Sequence, residues 1–114
     1  MHEIQQTFKA LSDTNRIRIL KMLQVKPLCV CEITDILHLA TSTVSKHLSI
    51  LKEAGFIIDE KDGKWVNYRL DDSNWNRYSA EIPVLLKSWL NSDAIIRQDR
   101  KKLEDVDRYS ICAS

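Results

Sequence analysis

The sequence predicts a mainly α-helical chain carrying one small β-hairpin, and three observations predict it. Apolar residues recur at helical spacing through most of the 114 residues, most cleanly at Val44, Leu48 and Leu51. The period then changes to two, where Val66, Tyr68 and Leu70 alternate with Trp65, Asn67 and Arg69. Two glycines and two prolines are too few for a loop-rich or all-β fold. Composition fits an ordinary globular domain, with 44% hydrophobic and 29% charged residues, and the length fits one domain, 1–114.

Phe8 and Leu11 close a first helix, and Ser12-Asp13 supply capping side chains for a second. Ile17, Leu20 and Leu23 repeat at about one turn in that second helix, which ends before Pro27. A third helix runs from about Cys29 to Leu37 with Ile33, Ile36 and Leu37 inward. After His38-Leu39-Ala40, Thr41 caps a fourth, and Gly55 stops it. Phe56-Ile57-Ile58 opens the first hairpin strand, and Asp62-Gly63 makes the turn because both positions tolerate positive φ. Two short helices, a turn and a hairpin make a winged helix-turn-helix over about 29–70.

Helical pattern returns with Ile82, Leu85, Leu86, Trp89 and Leu90, preceded in phase by Trp75 and Tyr78. Pro83 predicts a start or kink, and Asn91-Ser92-Asp93 a break or a fresh cap. Ile95, Ile96, Leu103, Val106 and Tyr109 continue more weakly. So much apolar helix beside a small wing needs cover, and a second copy of the chain provides it. Helices at about 3–11 and 75–107 are the expected dimerisation elements of a homodimer.

Seventeen basic against sixteen acidic residues exclude a strongly basic nucleic-acid binder on composition alone. The fourth helix carries the DNA-binding signal instead. With Val44 facing the core, Ser42, Lys46 and Ser49 point nearly opposite, Thr43 and Ser45 occupy the shoulders, and His47 lies about 60° from the core direction. Hydroxyls, one lysine and a helix N-terminus can donate to phosphates and reach base edges, so Thr41, Ser42, Thr43, Ser45, Lys46, His47 and Ser49 are candidate DNA-binding residues. Lys61 and Lys64 flank the hairpin turn and are positioned for a neighbouring groove or backbone.

Cys29-Val30-Cys31 carries the ligand chemistry. Two residues apart on an ideal helix is about 200°, so the sulfurs converge only at a frayed or unwound first turn. Pro27 and Leu28 place the pair at such a start, and a helix N-terminus favours the ligating thiolate. Soft thiolates disfavour magnesium, calcium and manganese, and His2, His38 and His47 show no zinc-site spacing. Cys112 is either a loose tail thiol or a further ligand, from its own chain or a partner's.

The chain resembles the ArsR/SmtB metal-sensing repressors. The resemblance rests on Phe8-Lys-Ala-Leu-Ser-Asp-Thr-Asn-Arg-Ile-Arg-Ile-Leu20, Leu28-Cys-Val-Cys-Glu-Ile33, Ser42-Thr-Val-Ser-Lys-His-Leu48 and Asp62-Gly-Lys-Trp-Val-Asn-Tyr-Arg-Leu70, and covers about residues 5–90. It implies a homodimeric winged helix-turn-helix repressor that binds a palindromic operator and releases it with inducer. It further implies trivalent arsenic or antimony as inducer, held by Cys29 and Cys31, with no permanent cofactor. Residues 75–110 lack the histidines of a carboxy-terminal zinc site, and residues 1–28 lack the extra cysteines of cadmium-sensing relatives. Thr34 stands where arsenic-sensing relatives often carry a third cysteine, which makes Cys112 the candidate third ligand.

A thiol redox or sulfide-responsive repressor on the same scaffold is the main alternative. A protein-interaction module without DNA affinity is the other, separable by salt-dependent duplex binding. No nucleophile-base-orienter set or phosphate-binding glycine loop points to an enzyme. No apolar run reaches the length of a membrane span and no signal peptide opens the chain, so a cytoplasmic protein is expected.

Overall fold

Asp13 accepts from the amides of Asn15 at 2.8 Å and Arg16 at 3.2 Å, satisfying donors that a helix start leaves orphaned. That cap separates α1 (His2–Leu11) from α2 (Thr14–Leu23) in a computed structural model that describes residues 1–73 and 75–111. The chain continues through β1 (Leu28–Cys29), α3 (Val30–Leu37), α4 (Thr41–Glu53), β2 (Ile57–Asp62) and β3 (Trp65–Leu70). It ends in α5 (Arg77–Leu86), α6 (Ala94–Asp105) and α7 (Arg108–Ile111). Among the described residues no helix is long and apolar enough to cross a membrane.

The core is one cluster. Ile33, Ile36 and Leu37 of α3, Val44, Leu48 and Leu51 of α4, and Phe56 and Ile57 close over the buried side of α2. In α2 the buried run is Ile19, Leu20, Met22 and Leu23, with Ile17 only half-buried, so the stripe is rotated from the expected one. Lys21 lies in that same buried run. Its ammonium donates to the carbonyls of Leu86 and Trp89 and to Asn91 Oδ1, which uses all three donors where α5 ends. Burial lowers its pKa.

Three local expectations change. Thr41 is the first helical residue of α4, and Ala40 holds the cap position without a side-chain bond. The hairpin turns at Gly63-Lys64, because Asp62 still pairs with Trp65 and positive φ falls on Gly63 alone of the two turn residues. Cys29 belongs to a strand as well as to a helix start: β1 adds a third strand in the order β1-β3-β2, antiparallel, with Leu28 opposite Tyr68 and Cys29 opposite Asn67.

Gly55 ends α4 with φ +88°, a left-handed geometry that suits glycine. A Cβ there would also stand 2.7 Å from Ser79 Oγ and 2.9 Å from the Trp75 ring, so the start of α5 packs directly on this turn. Pro83 sits inside α5, which runs just one further turn beyond it. Asp93 caps α6 through the amides of Ile95 and Ile96. Ile96 and Leu103 bury one face of α6, and Arg18 of α2 reaches buried Asp99 with two hydrogen bonds of 2.8 Å.

Candidate DNA-binding and thiol site

The recognition surface follows from α4's core stripe. Val44, Leu48 and Leu51 hold the helix against α2 and α3, which leaves Thr41, Ser42, Thr43, Ser45, Lys46 and Ser49 exposed. His47 is half-buried, with Nδ1 3.2 Å from Arg16 Nη1. Arg16 also donates to the carbonyls of Ala10 and Lys9, so one guanidinium joins the end of α1, the start of α2 and the recognition helix. Sequence periodicity contained no sign of this corner, since its partners lie on three separate elements. A groove of about 500 Å³ runs along it, lined by Arg16, Ser42, Thr43, Lys46, His47 and Ile50. Lys61 and Lys64 are exposed on the wing, Lys64 with its ammonium 4.8 Å from the Trp65 ring centre.

The thiol site is built differently. Cys29 caps α3 in the extended region, φ −91° and ψ 167°, and is 2% exposed. Its amide donates to Glu32 Oε1 at 2.9 Å, and its sulfur accepts from the Glu32 amide, a capping box with sulfur in the usual hydroxyl's place. Burial pushes the Cys29 thiol's pKa up; the Glu32 amide and Arg108 pull the other way, and the Glu32 carboxylate reinforces burial. Burial of the thiol thus opposes the preference for thiolate that a helix N-terminus confers.

Cys31 is half-buried on the first turn. Thr34 Oγ1 donates to the Cys31 carbonyl at 2.9 Å, so it serves the backbone of the same turn. Cys112 lies outside the described residues. Among the described residues no group of three or more His, Cys, Asp or Glu side chains is gathered to hold a metal ion.

Glu32 and Arg108 are the residues that sequence reasoning missed. Arg108 Nη2 meets Glu32 Oε1 at 2.8 Å, with side chains 16% and 6% exposed. Seventy-six positions separate them, beyond the reach of any local pattern.

A helix-turn-helix with an exposed, hydroxyl-rich recognition helix and a lysine-bearing wing defines a DNA-binding winged-helix protein. Residues 13–59 match the family model described as bacterial regulatory protein, arsR family. The chain is 32% identical over 113 residues to the arsenic resistance transcriptional regulator ArsR2 of Pseudomonas putida, covering 92% of this chain and 93% of that one. It is 42% identical over 66 residues to the arsenical resistance operon repressor of Escherichia coli K12, spanning 57% of this chain but 56% of the repressor. Proteins named as cadmium resistance regulators are also similar to it. Among solved structures, HlyU from Vibrio cholerae N16961 aligns with a TM-score of 0.63 at 28% identity, covering 75% of this chain and 88% of that one. The chain belongs to the arsR family and is a regulator of transcription.

Proposed function

We propose that the chain is a homodimeric repressor that releases a palindromic operator when trivalent arsenic or antimony bonds the thiolates of Cys29, Cys31 and Cys112. One observation carries the reading. Cys29 is at once the cap of α3 and a strand residue paired with the wing at Asn67. A metalloid drawing Cys29 and Cys31 together has to unwind the first turn of α3, and that strain reaches both the helix preceding α4 and the wing. Relatives named for arsenic resistance support the choice of ligand. Relatives named for cadmium make cadmium the ion to compete against it. Apolar side chains exposed on neighbouring α1 and α5, among them Phe8, Val84 at 65% and Leu85, with Trp89 just after α5, support the dimer. Thr41, Ser42, Thr43, Ser45, Lys46, His47 and Ser49, with Lys61 and Lys64, form the DNA face.

The test is operator release in Cys29→Ser and Cys31→Ser. Each should bind operator as the parent does yet lose arsenite-driven release, a coupling of about 1–3 kcal/mol or about 5–150-fold in affinity. Release by either variant at the parent's arsenite concentration refutes the pair as sensor.

A second reading is a thiol-redox repressor on the same scaffold, with Cys29 and Cys31 oxidised in place of metallated. Peroxide would convert one thiol to a sulfenic acid and water, and a second thiol would displace a second water to close the disulfide. A disulfide sulfur is no thiolate, so the two readings separate cleanly: reduced protein answers arsenite in the first, and peroxide without arsenite in the second.

A further inference from the structure

Helix α7 does something that no cap or core stripe explains. Asp107 accepts from the Tyr109 amide at 2.9 Å and starts the helix beside α3. Arg108 then donates to Glu32 Oε1, the oxygen that also accepts the Cys29 amide. The same guanidinium lies 5.3 Å from the Trp65 ring centre, and the Tyr109 ring meets Trp65 edge-on at 5.0 Å. Trp65 opens β3, two residues before Asn67, the strand partner of Cys29. The contacts therefore close a ring: Cys29 to Asn67 by strand pairing, along β3 to Trp65, across α7 through Arg108, and back to Cys29 through Glu32.

From this ring we infer that Arg108 is a positioning residue that couples the thiol-bearing turn of α3 to the wing. Glu32 is almost fully buried, and leaving a buried carboxylate without its cation is costly, so α7 stays docked while that turn keeps its shape. Unwinding the turn moves the Glu32 carboxylate, frees Arg108, and removes the cover from Trp65. The wing thus has a second line to the thiols besides its strand pairing. Release by a metalloid rests on the function proposed above; the mechanical link does not.

The experiment uses the full chain labelled with 5-fluorotryptophan, the Trp65 signal being assigned with Trp65→Phe. Without any ligand, Arg108→Ala should shift the Trp65 fluorine resonance and speed hydrogen exchange at the Cys29 amide. Tyr109→Ala removes only an exposed ring and should shift Trp65 without loss of fold. Arg108→Lys, which keeps a charge opposite Glu32, should slow Cys29 exchange back toward the parent rate. An unmoved Trp65 resonance or an unchanged Cys29 exchange rate in Arg108→Ala overturns the link. With arsenite, the parent's ratio of operator affinities should shrink about fivefold or more in Arg108→Ala. A parent ratio in the variant also overturns it. Absence of arsenic-thiolate absorbance in the parent would refute the proposed function instead, and the link would then be decided by the ligand-free measurements.

Discussion

The recognition helix packs against α3, yet it and the first turn of α3 are opposite kinds of structure. α4 buries one stripe, Val44, Leu48 and Leu51, and leaves Ser42, Thr43, Ser45, Lys46 and Ser49 exposed. The first turn of α3 is held on every side: by strand pairing at Cys29, by Glu32 within the turn, and by Arg108 from the end of the chain. A surface that must take up DNA has to be unshielded, whereas a turn that must report a ligand has to be attached to whatever it will move. The same core supports both because α4 needs it as a rigid back and α3 needs it as a lever's fulcrum.

The sharpest way to break this contrast is from behind α4. Leu48→Ala removes a fully buried side chain and should cost about 2–5 kcal/mol in denaturant unfolding. A loss below about 1 kcal/mol would mean that the stripe is not what anchors the helix.

Next in size is the sensing turn. Glu32→Ala leaves the Arg108 guanidinium and the Cys29 amide without the oxygen they share, a loss of about 1–3 kcal/mol in the same assay. Stability equal to the parent's would show that the turn is not held as described.

On the DNA face the stability effect should nearly vanish. Lys46→Ala changes an exposed residue and should stay within about 0.5 kcal/mol of the parent, while the salt slope of operator binding falls by about one. An unchanged slope removes Lys46 from the phosphate contacts.

The smallest effect is a pH dependence. Burial holds the Cys29 thiol's pKa above its unfolded value, so the folded state keeps a proton that the unfolded chain gives up. Its contribution is complete below the ordinary thiol range and is lost as pH rises from there to the raised value. Reduced parent protein should therefore lose more stability over that interval than Cys29→Ser does. Parallel pH profiles would contradict a buried, protonated Cys29.

The limits of sequence reading show in the wing. Val66, expected inward by alternation, is 40% exposed, while Trp65, expected outward, is half-buried. Tyr68 and Leu70 do pack against the core, so alternation holds at the base of β3 and fails near its tip. It fails there because α7 covers Trp65 from the far end of the chain, and the core does not extend beneath Val66.

By itself the sequence determined what depends on near neighbours. Helix spacing placed the stripe of α4, Asp13 and Asp93 capped their helices, Gly55 ended α4, and the change of period announced β3. It also set Cys29 and Cys31 at a helix start, since Pro27 precedes Cys29 by two residues. Tertiary structure alone decided the rest: β1 pairing Cys29 with the wing, Arg16 touching His47, Lys21 closing α5, and Arg108 meeting Glu32. Each of these joins residues far apart in the chain. Their partners are chosen by burial and by the cost of an unpaired charge or donor, and those quantities exist only once the core has closed.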